Sequence, residues 1–401
     1  MGHASQPIYC DHQATTPLAP EVLEAMLPYF GEQFGNPSSQ THVYGWTAAA
    51  AVETAREAIA TAINAEPTEL VFTSGATEAN NLAIKGVAEA YLQQGRHLVT
   101  VASEHRAALD PVQYLGQLGF EVTILPVQPN GLLNLETLAE SLRSDTILVS
   151  VMAANNEIGV LQPIADIGQL LRDKASAIGH KPLFHTDAAQ ALGKIPLDVE
   201  ALGVDLMSIT AHKIYGPKGV GALYVRRRDP RVKLAPQLHG GGQERDRRSG
   251  TLNPPLIVGF AKAVELALAQ MAAEQERLRQ LRDRLWEILS TLDNITLNGA
   301  LEPRLADNLN ASFAGVNSSA LLLGVREVVA LSSGSACSSA RSAPSHVLTA
   351  LGRSPELARA SLRFGLGRGT TPAEIEQIGN CVVDTVRSLR QANPTALSSK
   401  A

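Results

Sequence analysis

Between residues 69 and 225, short β-rich runs alternate with helical patterns, and this alternation limits the possible folds more than any other feature of the chain. Strands are expected at Glu69–Ser74, His97–Ser103, Glu121–Val127, Thr146–Met152, Leu183–Asp187, Asp205–Thr210 and Gly221–Val225. Several, such as TILVSVM at 146–152, are apolar almost throughout, as suits strands covered on both faces. Helical spacing fills the gaps at Ala79–Gln93, Ala107–Leu118, Leu135–Leu142 and Ile164–Arg172. Such repetition predicts an α/β fold on a doubly wound, mostly parallel sheet of seven strands.

After Pro254-Pro255 the pattern changes. Apolar residues from Ile257 to Leu289 recur at helical spacing, which predicts one long amphipathic helix leading into a second domain. Short strands at Asn308–Phe313 and Ala360–Phe364, with helices near 318–324 and 372–390, predict a smaller α+β unit. The expected division is a large domain over 15–260 and a small one formed by 1–14 and 261–401. With 45% hydrophobic and 18% charged residues, the chain of 401 residues can bury a sizeable core and is not disordered. A formal charge of −5 and only 4% aromatics argue against a nucleic-acid partner. No apolar run nears the roughly 18 residues of a membrane span. The start MGHASQ has no basic-then-apolar leader, so a cytoplasmic enzyme is expected. The three cysteines, Cys10, Cys337 and Cys381, have neither CxxC nor zinc spacing. No metal site is expected.

Polar clusters fall just after strands, where open α/β sheets bind their ligands. Thr73–Glu78 (TSGATE) is a strand end, a small-residue turn and a helix start, able to offer backbone N–H groups and a helix dipole to an anion. His185–Gln190 (HTDAAQ) and Thr210–Lys213 (TAHK) follow two more strands, and His105 follows a fourth in SEHR. Singly, each has a plainer reading: a helix cap, a capping acid, a surface cation, a structural imidazole. Lysine is scarce, nine against 25 arginines, so a lysine at the mouth of a buried sheet calls for a partner or a chemical use. Together, an anion cradle, a strand-end Asp and a strand-end Lys suit pyridoxal phosphate: the cradle for phosphate, the acid for the pyridine nitrogen, the lysine for a Schiff base.

The chain resembles the cysteine desulfurases, a branch of the fold-type-I pyridoxal-phosphate enzymes related to class-V aminotransferases. The likeness runs from about Ile8 to residue 390. It is carried, in order, by DHQATTP (11–17), FGNPS (34–38), FTSGATE (72–78), NNEIG (155–159), HKIYGPKG (212–219), GGG (240–242) with RSGT (248–251), and SSGSACS (332–338). The resemblance implies that L-cysteine is turned into L-alanine and its sulfur is held as a persulfide. It implies Lys213 as the Schiff-base lysine, Asp187 as the pyridinium partner, Gln190 on the phenolic oxygen, His105 stacked on the ring and Asn156 beside it. Ala76, Thr77, Thr210 and His212 would surround the phosphate, and Thr251 would reach it across a homodimer interface. Arg363 would bind the substrate carboxylate, with Asn36 near by. Cys337 would take the sulfur from a mobile loop over about 328–342, its small and polar neighbours being loop formers and poor material for burial. A cofactor-site group such as His105 could deprotonate it. Cys10 and Cys381 read as small buried hydrophobes. The long loop belongs to the group that passes sulfur to iron–sulfur scaffolds and tRNA thiolation, though the tail after 390 has no aromatic residue. A selenocysteine lyase, a kynureninase-like enzyme or an aminotransferase is the alternative on the same fold. An aminotransferase has no need of Cys337.

Overall fold

The computed structural model describes residues 6–333 and 344–392; Cys337 lies outside the described residues. Its strands are β1 (Ile8–Tyr9), β2 (Leu70–Thr73), β3 (His97–Val101), β4 (Glu121–Leu125), β5 (Thr146–Ser150), β6 (Leu183–Asp187), β7 (Leu206–Thr210), β8 (Gly221–Val225), β9 (Ile295–Leu297), β10 (Asn308–Phe313), β11 (Val329–Ala330) and β12 (Ser361–Gly365). Seven of them form one sheet in the order β2-β8-β7-β6-β5-β3-β4. Neighbours from β4 to β7 run parallel, and β8 runs antiparallel to both β2 and β7.

The six strands β2, β3, β5, β6, β7 and β8 are buried at every position, as their apolar runs predict. Alternate side chains serve opposite faces. Phe72, Val99, Val149, Phe184 and Met207 enter one core, whereas Val71, Leu98, Leu148, Leu183 and Leu206 enter the other. The edge strand β4 is largely uncovered, which accounts for its interspersed Glu121 and Thr123.

The helix Pro254–Leu289 spans 36 residues, with Asn253 accepting the Leu256 N–H at its start and prolines at its first two positions. Its first half, with Ile257, Phe260 and Val264, packs into the large-sheet core. Its second half, with Leu278, Leu285 and Leu289, packs with the three-stranded sheet β12-β10-β9 and the helix Pro372–Ala392. Among the described residues this helix has a window long and apolar enough to cross a membrane by length and composition. Packing of its apolar stripe in two cores is the pattern of a core helix. Val347, Leu348, Leu351 and Ala358 join the large-sheet core although they follow that helix by more than 50 residues, so the two halves of the chain interlock. Cys10 is buried in the second core, and burial, with Asp11 beside it, pushes its thiol up to about 12. Cys381 packs half-buried against the same core.

Candidate active site

The sheet order changes direction between β3 and β5: after β3 the chain goes outward to β4, then returns to place β5 on the other side. A crevice forms beyond the strand ends at such a switch point. His105 follows β3 and Asn156 follows β5, on the two sides of it. Asp187 is the last residue of β6, and Thr210 the last of β7, with Lys213 three residues on. Together they line a cavity of about 470 Å³ that also takes in Ala76, Thr77, Gln190 and His212.

The cradle is the start of the Ala76–Ala90 helix, where Gly75 is the cap and no side chain accepts its first N–H groups. Those donors open on the cavity, which is the arrangement that receives an anion. Gly75 has φ +148°, a conformation that favours glycine. A Cβ on Gly221 beneath it would lie 2.8 Å from the Gly75 Cα and 2.6 Å from the Ile209 carbonyl oxygen, so β8 must begin with glycine for the cradle to close on the sheet. Glu78 accepts the Ser74 N–H at 2.7 Å and a fork from Arg248, at 2.7 Å from Nε and 3.2 Å from Nη2. Burial raises the Glu78 carboxyl, but these donors outweigh it and hold it below the ordinary value. The fork ties the RSGT segment to the cradle.

Asp187 is buried and accepts from Asn80 Nδ2 at 2.6 Å and from the Ala189 N–H at 2.9 Å. His105 caps the Arg106–Gln117 helix, its Nδ1 accepting the Ala107 N–H at 3.0 Å, which puts the proton of the neutral ring on Nε2. Burial lowers its pKa, and Lys213 and His346 add to that against the opposing pull of Asp187. With its accepting nitrogen engaged, His105 is arranged as a flat, neutral donor more than as a base. His212 donates or accepts at Thr15 Oγ1 over 3.1 Å, and burial with the cations Lys213 and Lys218 takes its pKa down to about 4. Beneath His105, the buried Glu104 accepts the Met152 N–H at 2.6 Å, and burial raises its carboxyl well above the ordinary range.

A class-V aminotransferase model matches residues 8–378. A cysteine desulfurase IscS of Methylococcus capsulatus is 53% identical over 97% of this chain and 94% of its own length. A solved NifS-like protein superposes with a TM-score of 0.87 at 37% identity, covering 96% of this chain and all of the other. SspA, solved in complex with cysteine, superposes at 0.78 with 39% identity over 90% of this chain and 98% of its own. The chain belongs to the class-V aminotransferase family. Within it, the protein is a cysteine desulfurase, of the pyridoxal-phosphate-dependent kind.

The desulfurase's own residues fit that cofactor. The uncapped helix start suits a phosphate, and the Asn156 and Asn80 side-chain oxygens at the cavity are buried without hydrogen-bond partners, as expected of groups awaiting a ligand. Three expected residues lie outside the cavity. Arg363 is buried behind Asn156, donating to its carbonyl at 2.9 Å and to Asp11 Oδ1 at 2.7 Å, while its Nε has no partner. Asn36 and Thr251 are exposed. Their segments meet: Pro37, Ser38, Arg245 and Leu252 line one shallow cavity of about 230 Å³. Asn80, Arg248 and Thr15 are site-building residues that strand-end reasoning misses. Asn80 and Arg248 lie away from strand ends, and only the RSGT motif marks Arg248.

Proposed function

We propose that this desulfurase converts L-cysteine to L-alanine using pyridoxal phosphate held in the strand-end cavity, and keeps the sulfur as a persulfide on Cys337. The observation that carries the reading is the convergence of Lys213, Asp187, His105 and an uncapped helix start on one cavity. Lys213 would hold the aldehyde carbon, Asp187 the pyridine nitrogen, Gln190 the phenolic oxygen, and Ala76, Thr77, Thr210 and His212 the phosphate. His105 would cover one face of the ring and Asn156 its edge. When bound, the cofactor supplies an electron sink next to the substrate's α-carbon.

The Lys213 amine takes the α-proton. Arg363, whose Nε has no partner, would bind the substrate carboxylate by giving up its hold on Asp11, and Asn36 assists it. The Cys337 thiolate forms an S–S bond to the substrate sulfur as the C–S bond breaks, and the carbon skeleton gains protons to leave as alanine. The persulfide is then passed to a sulfur-acceptor protein such as an iron–sulfur scaffold, in the cytoplasm. Cys10, held as a buried thiol, is a poor competitor for that role.

A homodimer completes the site in this reading. Leu27, Phe30, Phe34, Val43, Tyr44 and Trp46 are exposed along one stretch of chain that includes Asn36. Exposed apolar side chains in that number call for a covering partner. Thr251 of the same face would then reach the phosphate of the second copy.

The test is Cys337→Ser, which keeps the side-chain volume and removes the nucleophile. The variant is expected to fold and to take up pyridoxal phosphate, yet to make almost no alanine. The wild type should gain about 32 Da of reducible mass, one sulfur atom, on the Cys337 peptide. Normal alanine formation by the variant would refute the sulfur-transfer reading and favour a lyase or aminotransferase.

A further inference from the structure

We infer that Lys194 is a positioning residue that fixes which way the Gln190 amide faces, and thereby which group is offered to the phenolic oxygen; this rests on the cofactor site proposed above. Gln190 is buried and lines the cavity. Its side chain ends in an acceptor oxygen on one side and a donor NH₂ on the other, and either could face a ligand. The phenolic oxygen, carrying negative charge, is served only by the donor.

The neighbourhood removes the choice. Lys194 lies four residues on, and its Nζ is 3.4 Å from Gln190 Oε1 and 2.7 Å from Asp307 Oδ2. An ammonium has donors and no acceptor, so a flipped Gln190 would set NH₂ against NH₃⁺. Gln190 Nε2 is on the other side, donating to the Gln13 carbonyl at 2.9 Å with a second N–H to spare. Gln13 Nε2 in turn donates to the Asp307 carbonyl at 2.9 Å, so the four residues close a ring of hydrogen bonds. Lys194 and Asp307 are 8% and 3% exposed, too deep for an incidental surface pair. A buried ammonium is costly to hold, and here it adds to the Gln13 carbonyl in rejecting the wrong amide orientation: a flip would set Oε1 against that carbonyl and NH₂ against the ammonium.

A purely structural ion pair predicts lost stability and an unchanged cofactor environment. The positioning role predicts a spectroscopic change. In the holoenzyme, an N–H on the phenolic oxygen favours its ionised form, which absorbs at longer wavelength, whereas an amide oxygen there favours the protonated form. The variant is Lys194→Met with Asp307→Asn, which leaves no bare buried carboxylate. At fixed pH it is expected to move absorbance to the shorter-wavelength band and to weaken pyridoxal phosphate binding about tenfold, equivalent to about 1.4 kcal/mol. Lys194→Arg should keep the wild-type spectrum. Lys194→Gln keeps a partner for Asp307 but tolerates both amide orientations, and should show the same shift in smaller size if the pair replacement does not fold. In a Gln190→Met background the Lys194 changes should add less than a twofold effect on binding. A wild-type spectrum in the folded Lys194 variants, or an equal effect without Gln190, would overturn the inference. Failure of the wild type to take up pyridoxal phosphate would instead overturn the cofactor reading itself.

Discussion

The floor of the site and its rim are built by different means. On the floor, Asp187, Thr210 and Lys213 are delivered by the ends of adjacent, fully buried strands, so one chain sets their spacing through its sheet. At the rim, Asn36 and Thr251 stand exposed beside uncovered aromatic residues. The rim segment is nonetheless anchored: the buried Glu244 accepts from Arg56 at 2.6 and 3.0 Å and from the Phe72 N–H at 2.7 Å. It is fixed to the fold and open on its outer side. Chemistry is placed by the fold of one chain; in the dimer proposed above, closure would fall to a second.

Changes on the floor should therefore have the largest effects. Asp187→Ala removes the only carboxylate among the described residues that lines the cavity at a strand end, and should cost about 10²–10³ in turnover. Steady-state alanine formation measures this. A loss below fivefold would mean that the floor does not hold the ring.

The second prediction concerns the rigidity of the floor. His185 lies between β5 and β7, facing Ser150 Oγ at 2.8 Å and Ser208 Oγ at 3.0 Å, and burial takes its pKa down to about 4. An unfolded histidine titrates near 6.5, so between that pH and about 4 the unfolded state holds a proton that the native state does not. The neutral ring's contribution is present in full above pH 6.5 and is lost as pH falls, by roughly 3 kcal/mol down to pH 4. His212 acts in the same direction. Denaturant titrations should show His185→Gln flattening this slope relative to wild type, and equal slopes would contradict it.

The smallest effect belongs to the rim. Thr251→Val should weaken cofactor retention about tenfold, the worth of one hydrogen bond to a charged group. At a pyridoxal phosphate concentration too low to fill the Thr251→Val sites, mixing with Lys213→Ala subunits should restore activity, because a hybrid dimer would contain one site with both residues intact. No recovery despite proven subunit exchange would remove the distinction between a one-chain floor and a two-chain rim.

The sequence made the floor legible for a physical reason. A strand buried on both faces must be apolar along its length, so the polar residue that ends it, as Asp187 ends LFHTD and Thr210 ends LMSIT, stands out. The long helix was legible through its spacing, with Pro254 and the helix end near Leu289 read directly, whereas the helix Ile164–Ile178 runs six residues past the expected Arg172 and the helix Val43–Ala62 was not read. The supports were not. Asn80 lies in the second turn of a helix and Lys194 beyond a strand end, and nothing local distinguishes either from an ordinary surface residue. Their roles arise from contacts over 107 and 113 positions of sequence. Arg363 was legible as a cation in a strand, but its ties to Asp11 and the Asn156 carbonyl depend on how the two cores meet.

The central claim is that Lys213, at the end of β7, is the residue that bonds the cofactor and works on the substrate's α-carbon. Borohydride reduction of the pyridoxal phosphate-loaded protein, followed by peptide mapping, tests it most directly. The account predicts the reduced pyridoxyl group on Lys213 and on no other of the nine lysines, Lys194 and Lys218 included. A label on another lysine, or none on the loaded protein, would contradict it.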